Sequence, residues 1–194
     1  MYDCSTDETL TETTVQPEYT GIVTLYATYT SDTKPVSTVV AQNGRLTVGG
    51  LSSSHCPIEI DLGACTLFGE YNEVRLSTTS LATVYADQRL YIQTDGTVAF
   101  SEPGDTGRYD ELYDGLGSMI LNDDGIDGTV TAPHGLIWRA CSFVDGTSER
   151  VELRALTPTL VEQISAGKVD CEDVTVQAYV RDSDRFPFSA WQYL

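Results

Sequence analysis

Apolar side chains along this chain alternate with polar ones in short runs that end at turn residues, and a period of two predicts strands rather than helices. The clearest run is QRLYIQTDGTVAFS over 88–101. Its Thr94-Asp95-Gly96 predicts a three-residue hairpin loop with Gly96 in the left-handed position, so that Ile92 faces Val98 and Leu90 faces Phe100. That register gathers the apolar groups on one face. A two-residue loop would oppose Ile92 to Ala99 and Tyr91 to Phe100 and scatter them over both faces. Asn43-Gly44 marks a second hairpin, with Ala41 opposite Leu46 and Val39 opposite Val48, all four pointing inward. A third spans GLIWRACSFVDGTSERVELRAL, broken at Asp145-Gly146, with Val151, Leu153 and Ala155 alternating outward from the turn.

Three further stretches read as strands: 21–30, 74–84 with Leu76, Leu81 and Val84 as core candidates, and 174–180. Thr157-Pro158 looks like an N-cap followed by proline at the first helical position, with Leu160, Val161 and Ile164 on one side and Gly167 beyond the end. Between strands, 51–71 reads as a loop in which Ile58, Ile60 and Leu62 alternate briefly. Residues 102–128 read as a glycine-rich, acidic surface excursion with one short strand near 118–121, the most mobile internal region. The class is mainly β: an antiparallel β-sandwich or irregular β-barrel with one short helix near 158–166, a trefoil being a minor alternative. Residues 1–18 read as an extended N-terminal arm, 19–181 as a single β domain and 182–194 as an aromatic tail. Phe186, Phe188 and Trp191 in that tail are expected to dock, since together they would make a large exposed apolar patch.

Charge narrows the partners. The formal net charge is -18, with only two lysines, Lys34 and Lys168, against 29 acids. Such a surface repels phosphate backbones and anionic lipids, so nucleic acid and membrane are not expected partners. No apolar run reaches the roughly 18 residues of a membrane span, and no signal peptide is visible, so a secreted protein would be present here as its mature chain. The composition suits a protein of acid surroundings or of a salt-adapted organism.

Candidate chemistry is sparse. No G-x-S-x-G surrounds any serine, and His55 and His134 read as ordinary surface histidines. The run 122–128 resembles the acidic half of a calcium loop, with Asn122, Asp124 and Asp127 as weak ligand candidates, but it lacks the glutamate expected at the twelfth position. Carboxylates are so many that a pair at glycosidase spacing carries no specificity. No cofactor is expected and no catalytic residue can be named. Tyr91, Tyr109, Tyr113 and Trp138 look exposed and are candidate ligand contacts, because sugars stack on aromatic faces. Five cysteines are an odd number and none lies in a C-x-x-C. Two disulfides in an oxidising compartment is the preferred reading, with buried free thiols as the alternative. The short spacing and Pro57 favour a Cys56–Cys65 bridge, and Cys4 is expected to be unpaired or bridged outside the chain.

The order GRLTVGGLSSSHCP, Cys65, RLYIQTDGTVAFSEPG, GLIWRACSF and VDCEDVTVQAYV resembles the small secreted cell-wall proteins of filamentous ascomycetes, the phialide-associated (PhiA-type) and IgE-binding group. The resemblance covers roughly 19–180 and rests on hairpins and cysteines. Ser142 follows Cys141 where that family often has proline, and no glycosylation sequon follows Asn43, Asn72 or Asn122. The resemblance implies a secreted, non-enzymatic protein of the cell wall, facing a host or competitor and acting by binding or assembly. It also implies a late cysteine pair, Cys141 with Cys171, tying the third hairpin to the last strand. A wall polysaccharide or a protein is the expected partner. The alternatives are a carbohydrate-binding module and a structural subunit of a virion or filament from a salt-rich habitat, assembling through the 185–194 tail.

Overall fold

The computed structural model describes residues 21–31, 34–55, 75–77, 79–81, 88–105, 107, 111–146, 148–166, 169–180 and 192–193. The first strands are β1 (Val23–Tyr29), β2 (Ser37–Gln42) and β3 (Arg45–Val48), followed by the short β4 (Ser54–His55), β5 (Arg75–Leu76) and β6 (Ser80–Leu81). The central hairpin is β7 (Gln88–Gln93) and β8 (Val98–Phe100). Then come β9 (Glu111–Asp114), β10 (Ser118–Leu121), β11 (Asp127–Thr131), β12 (Ile137–Asp145) and β13 (Ser148–Leu156). Helix α1 (Pro158–Ala166), β14 (Asp170–Val180) and β15 (Gln192–Tyr193) complete the order. The protein is mainly β, and β1-β2-β3-β13-β12-β14 close on themselves as a six-stranded antiparallel barrel.

Alternation explains the barrel wall. Leu25, Ala27, Val39, Ala41, Leu46, Leu153, Ala155 and Ala178 are all fully buried, and register puts them on the inner face. The outer face of β13 carries Arg150, Glu152 and Arg154, one residue out of phase with the core. A second circuit of pairings, β1-β5-β6-β7-β8-β3, shares part of this wall. Val40 and Thr47 on the outward side of β2 and β3 are therefore buried as well. Among the described residues no helix is long and apolar enough to cross a membrane.

Two of the predicted hairpins appear in their predicted registers. Ile92 pairs with Val98 and Leu90 with Phe100, and the Gly96 amide donates to Gln93 O at 2.8 Å. Gly96 has φ +83°, and a Cβ there would run into Leu156 and lie 2.7 Å from the Ala155 carbonyl oxygen, so the tip requires glycine twice over. Ala41 pairs with Leu46 and Val39 with Val48, with Asn43 and Gly44 at φ 51° and 75° as a two-residue turn of this hand requires. The third hairpin turns one step later than Asp145-Gly146, because Asp145 itself pairs with Ser148. Thr157 Oγ1 accepts from the Leu160 amide at 3.2 Å, the N-cap contact expected of α1.

The expectation that 102–128 is a surface excursion with one short strand does not hold: the strand at 118–121 is present, but β9 and β11 are strands as well. β9 pairs with β7, and β10 and β11 form a hairpin that extends the sheet from the edge of β14. Leu116 and Met119 are fully buried beneath it. Arg89 pins β9 by bonding Asp114 at 2.9 Å and Glu111 at 2.6 Å. The acids hide the strands because they serve as turn residues and ion-pair partners. β14 also starts at Asp170 rather than at 174, held from its first residues by β12. β15 pairs with β4, Gln192 opposite His55, so the end of the tail is tied to the body.

Candidate functional site

Two outward-facing arrangements follow from the barrel register. In the first, Thr24 lies opposite Tyr179 and Tyr26 opposite Gln177, which makes the two tyrosines diagonal neighbours across β1 and β14. Their rings meet edge to face, with centroids 5.1 Å apart and planes at 81°. Val36 before β2, Ile126 in the β10–β11 turn and Val180 complete an open cleft of about 340 Å³. Val36 and Ile126, 56% and 61% exposed, form its rim. The Val180 amide donates to Ile126 O at 2.8 Å, which holds the acidic turn against the rim. Beside the tyrosines, Thr28 Oγ1 donates to Gln177 Oε1 at 3.0 Å, so the apolar floor is continuous with polar side chains. Few polar groups around an aromatic floor suit a small amphipathic ligand.

The second arrangement is electrostatic. Glu152 has no exposed surface, yet it receives three guanidinium groups. Arg45 and Arg150 bond Oε1 at 2.6 and 2.8 Å, and Arg154 bonds Oε2 through Nη2 at 2.9 Å. Burial by itself would raise the Glu152 carboxyl, but hydrogen bonds from Arg150, Arg154 and Arg45 hold it below its ordinary value of 4.5. Phe143, opposite Arg150 on β12, lies under Arg154 at 4.6 Å and Arg150 at 5.4 Å. On the same outer face Arg139 pairs with Asp173 at 2.6 Å, and Cys141 and Cys171 form a disulfide between directly opposed positions of β12 and β14.

The residues singled out from sequence are dispersed. Tyr91 and Trp138 are buried at 5% exposure, so the expectation of exposed ring faces fails for both. Trp138 is an inner-face residue of β12 whose Nε1 donates to Val130 O at 2.8 Å. Tyr113 is half-buried against the core and meets the His134 ring at 4.9 Å. Tyr109 lies outside the described residues. Asn122, Asp124 and Asp127 do share one turn, but their side chains are bonded within it. The Asn122 side-chain amide donates to Asp127 at 2.5 Å, and Asp124 accepts from the Ile126 amide at 3.0 Å. Among the described residues no group of three His, Cys, Asp or Glu is placed to hold a metal. The Cys141–Cys171 pairing is present, while Cys4, Cys56 and Cys65 lie outside the described residues.

Tyr26, Tyr179 and the arginine cluster were missed by reading aromatics and motifs one at a time. The usable signal is phase: in LYAT, QAYV and RVELR the polar and aromatic positions alternate with the apolar ones. Comparison with known proteins adds no identification, since no family model, no curated protein and no solved structure matches the chain.

Proposed function

We propose that this chain is a binding protein without catalytic activity, and that it holds a saccharide in the cleft beside Tyr26 and Tyr179. The observation that carries the reading is the edge-to-face tyrosine pair in an open cleft of about 340 Å³ with an exposed aliphatic rim. A pyranose has apolar faces that pack on such a floor and hydroxyls that the neighbouring Thr28 and Gln177 can meet. A secreted, wall-associated or host-facing setting goes with it, supported by the Cys141–Cys171 disulfide, which persists in oxidising compartments. A glycan array with the full chain, followed by titration of the best hit, tests the reading. Tyr26→Ala or Tyr179→Ala is expected to weaken binding about tenfold or more, the cost of one well-packed aromatic contact. A flat array, or equal binding by both variants, removes the proposal.

A second reading, assembly into a larger structure, is favoured by the sheet edge. Among the described residues β10 pairs only with β11, and Ile120 on it is 40% exposed. An edge of that kind accepts another strand. Sedimentation showing monomer alone at high concentration and high salt would remove it.

A further inference from the structure

We propose that Arg45 and Arg150 form a binding site for a single small oxyanion, a sulfate, phosphate or carboxylate group, on the outer face of β3 and β13. The site is distinct from the tyrosine cleft: Tyr26 lies on β1 opposite Thr38 and Glu152 on β13 opposite Thr47, with β2 and β3 between them.

The charge count at Glu152 is the starting point. Arg154 is 92% or more enclosed and bonds Glu152 Oε2 through two nitrogens, at 2.9 and 3.2 Å, so it already supplies the counter-charge a buried carboxylate needs. Its remaining nitrogen faces Asp95, at 3.3 Å from the carbonyl and 3.5 Å from the carboxylate. Arg45 and Arg150 are extra. Both bond the same oxygen, Oε1, and so lie side by side, each spending one nitrogen there: Nη1 of Arg45 and Nε of Arg150. The other nitrogens of both bond nothing further among the described residues, and the side chains are 35% and 37% exposed. Two guanidinium groups held on a shared acceptor, each about a third exposed, offer the charge-assisted donors that oxyanions fit.

The chain has 29 acids for 11 basic residues, yet among the described residues no second carboxylate bonds Arg45 or Arg150. Thr47, directly opposite Glu152 in register, is 2% exposed and keeps its hydroxyl unpartnered, so the cluster has an unused donor beneath it as well. The global charge decides the size of the ligand. A polyanion would lie across the surrounding acids, whereas charges beyond about 8 Å are screened at physiological salt and scarcely affect a single oxyanion on the two arginines.

The test is a titration of ¹⁵N-labelled full-length protein with sodium sulfate at constant ionic strength, following arginine Nε–H resonances. Those of Arg45 and Arg150 are expected to shift and saturate together, and that of Arg89, closed by Glu111 and Asp114, to stay still. Arg45→Gln and Arg150→Gln should each weaken sulfate binding about tenfold, the worth of one charge-assisted contact, and Lys34→Gln should not. Glucuronate and a sulfated monosaccharide form the second arm. Tighter binding of these than of sulfate assigns the group to an acidic sugar, and equal binding assigns the site to free oxyanions. Absence of saturable shifts at Arg45 and Arg150 in the unmodified protein overturns the proposal, independently of how either variant folds. An unchanged affinity in both folded variants overturns it too.

Discussion

A carboxylate with no exposed surface survives in a barrel wall only if its lost hydration is replaced; at Glu152 the enclosed Arg154 does this through two nitrogens, and the partly exposed Arg45 and Arg150 add one bond each. The folded protein holds the group below 4.5, so it binds protons less readily folded than unfolded. The stabilisation is therefore complete above the unfolded value and is lost as pH falls through the lower folded value. Thermal unfolding followed from pH 7 down through the range below 4.5 is expected to show a progressive fall in Tm. Glu152→Gln keeps the shape but leaves the enclosed Arg154 with only Asp95, at 3.5 Å, as a counter-charge. It should cost about 3 kcal/mol at neutral pH, the lower end for breaking a buried pair, because Arg45 and Arg150 can turn to water. Denaturant unfolding would measure this, and Glu152→Gln should also flatten the acid dependence. A variant as stable as the parent would mean the cluster contributes nothing to the wall.

At the scale of elements, the strands come from alternation, and their order comes from what they share. β14 is paired to β1, β11 and β12, and its first residues reach β12 beside the disulfide. The bridge closes a sequence separation of 30. On the loop-closure account it limits the unfolded chain by about 3 to 4 kcal/mol. Cys141→Ser with Cys171→Ser is expected to lower stability by that order while leaving the strand register intact, because the pairing continues through Arg139 and Asp173. Unfolding of the double variant, compared with the parent with and without reductant, checks this. Equal stability of all three forms would show that the bridge is not formed in solution. The β10–β11 hairpin teaches the opposite lesson about local sequence. Its acids and glycines look like a loop, but Leu116 and Met119 are enough to seat it once the edge of β14 is present.

For the whole molecule, closure of the chain ends matters because β15 pairs with β4, the strand that follows the second hairpin. Removing 185–194 takes away that partner and leaves the β4 edge unpaired, which exposes backbone donors and acceptors to other chains. The truncated protein is expected to melt at a lower temperature or to associate, read by calorimetry and sedimentation. A monomeric truncation with the parent's Tm would show that the pairing is incidental. The -18 charge acts at this scale as well, opposing association at low salt and less so as salt screens it.

The elements that rest on neighbours along the chain are legible from the residues alone. The registers of β2 with β3 and β7 with β8 followed from turn chemistry and one apolar face, and the start of α1 from Thr157 and Pro158. Strand propensity and turn geometry act within a few residues, so no distant partner is needed to read them. The rest depends on how distant segments meet. Which strands join into a closed barrel, which of Tyr26, Tyr91, Trp138 and Tyr179 reach the surface, and how Arg45 comes to share an oxygen with Arg150 all depend on contacts between residues far apart in sequence. The same alternating pattern serves an inner wall and a half-covered outer one, and what covers the outer face is set by how the chain returns, not by the strand's own residues.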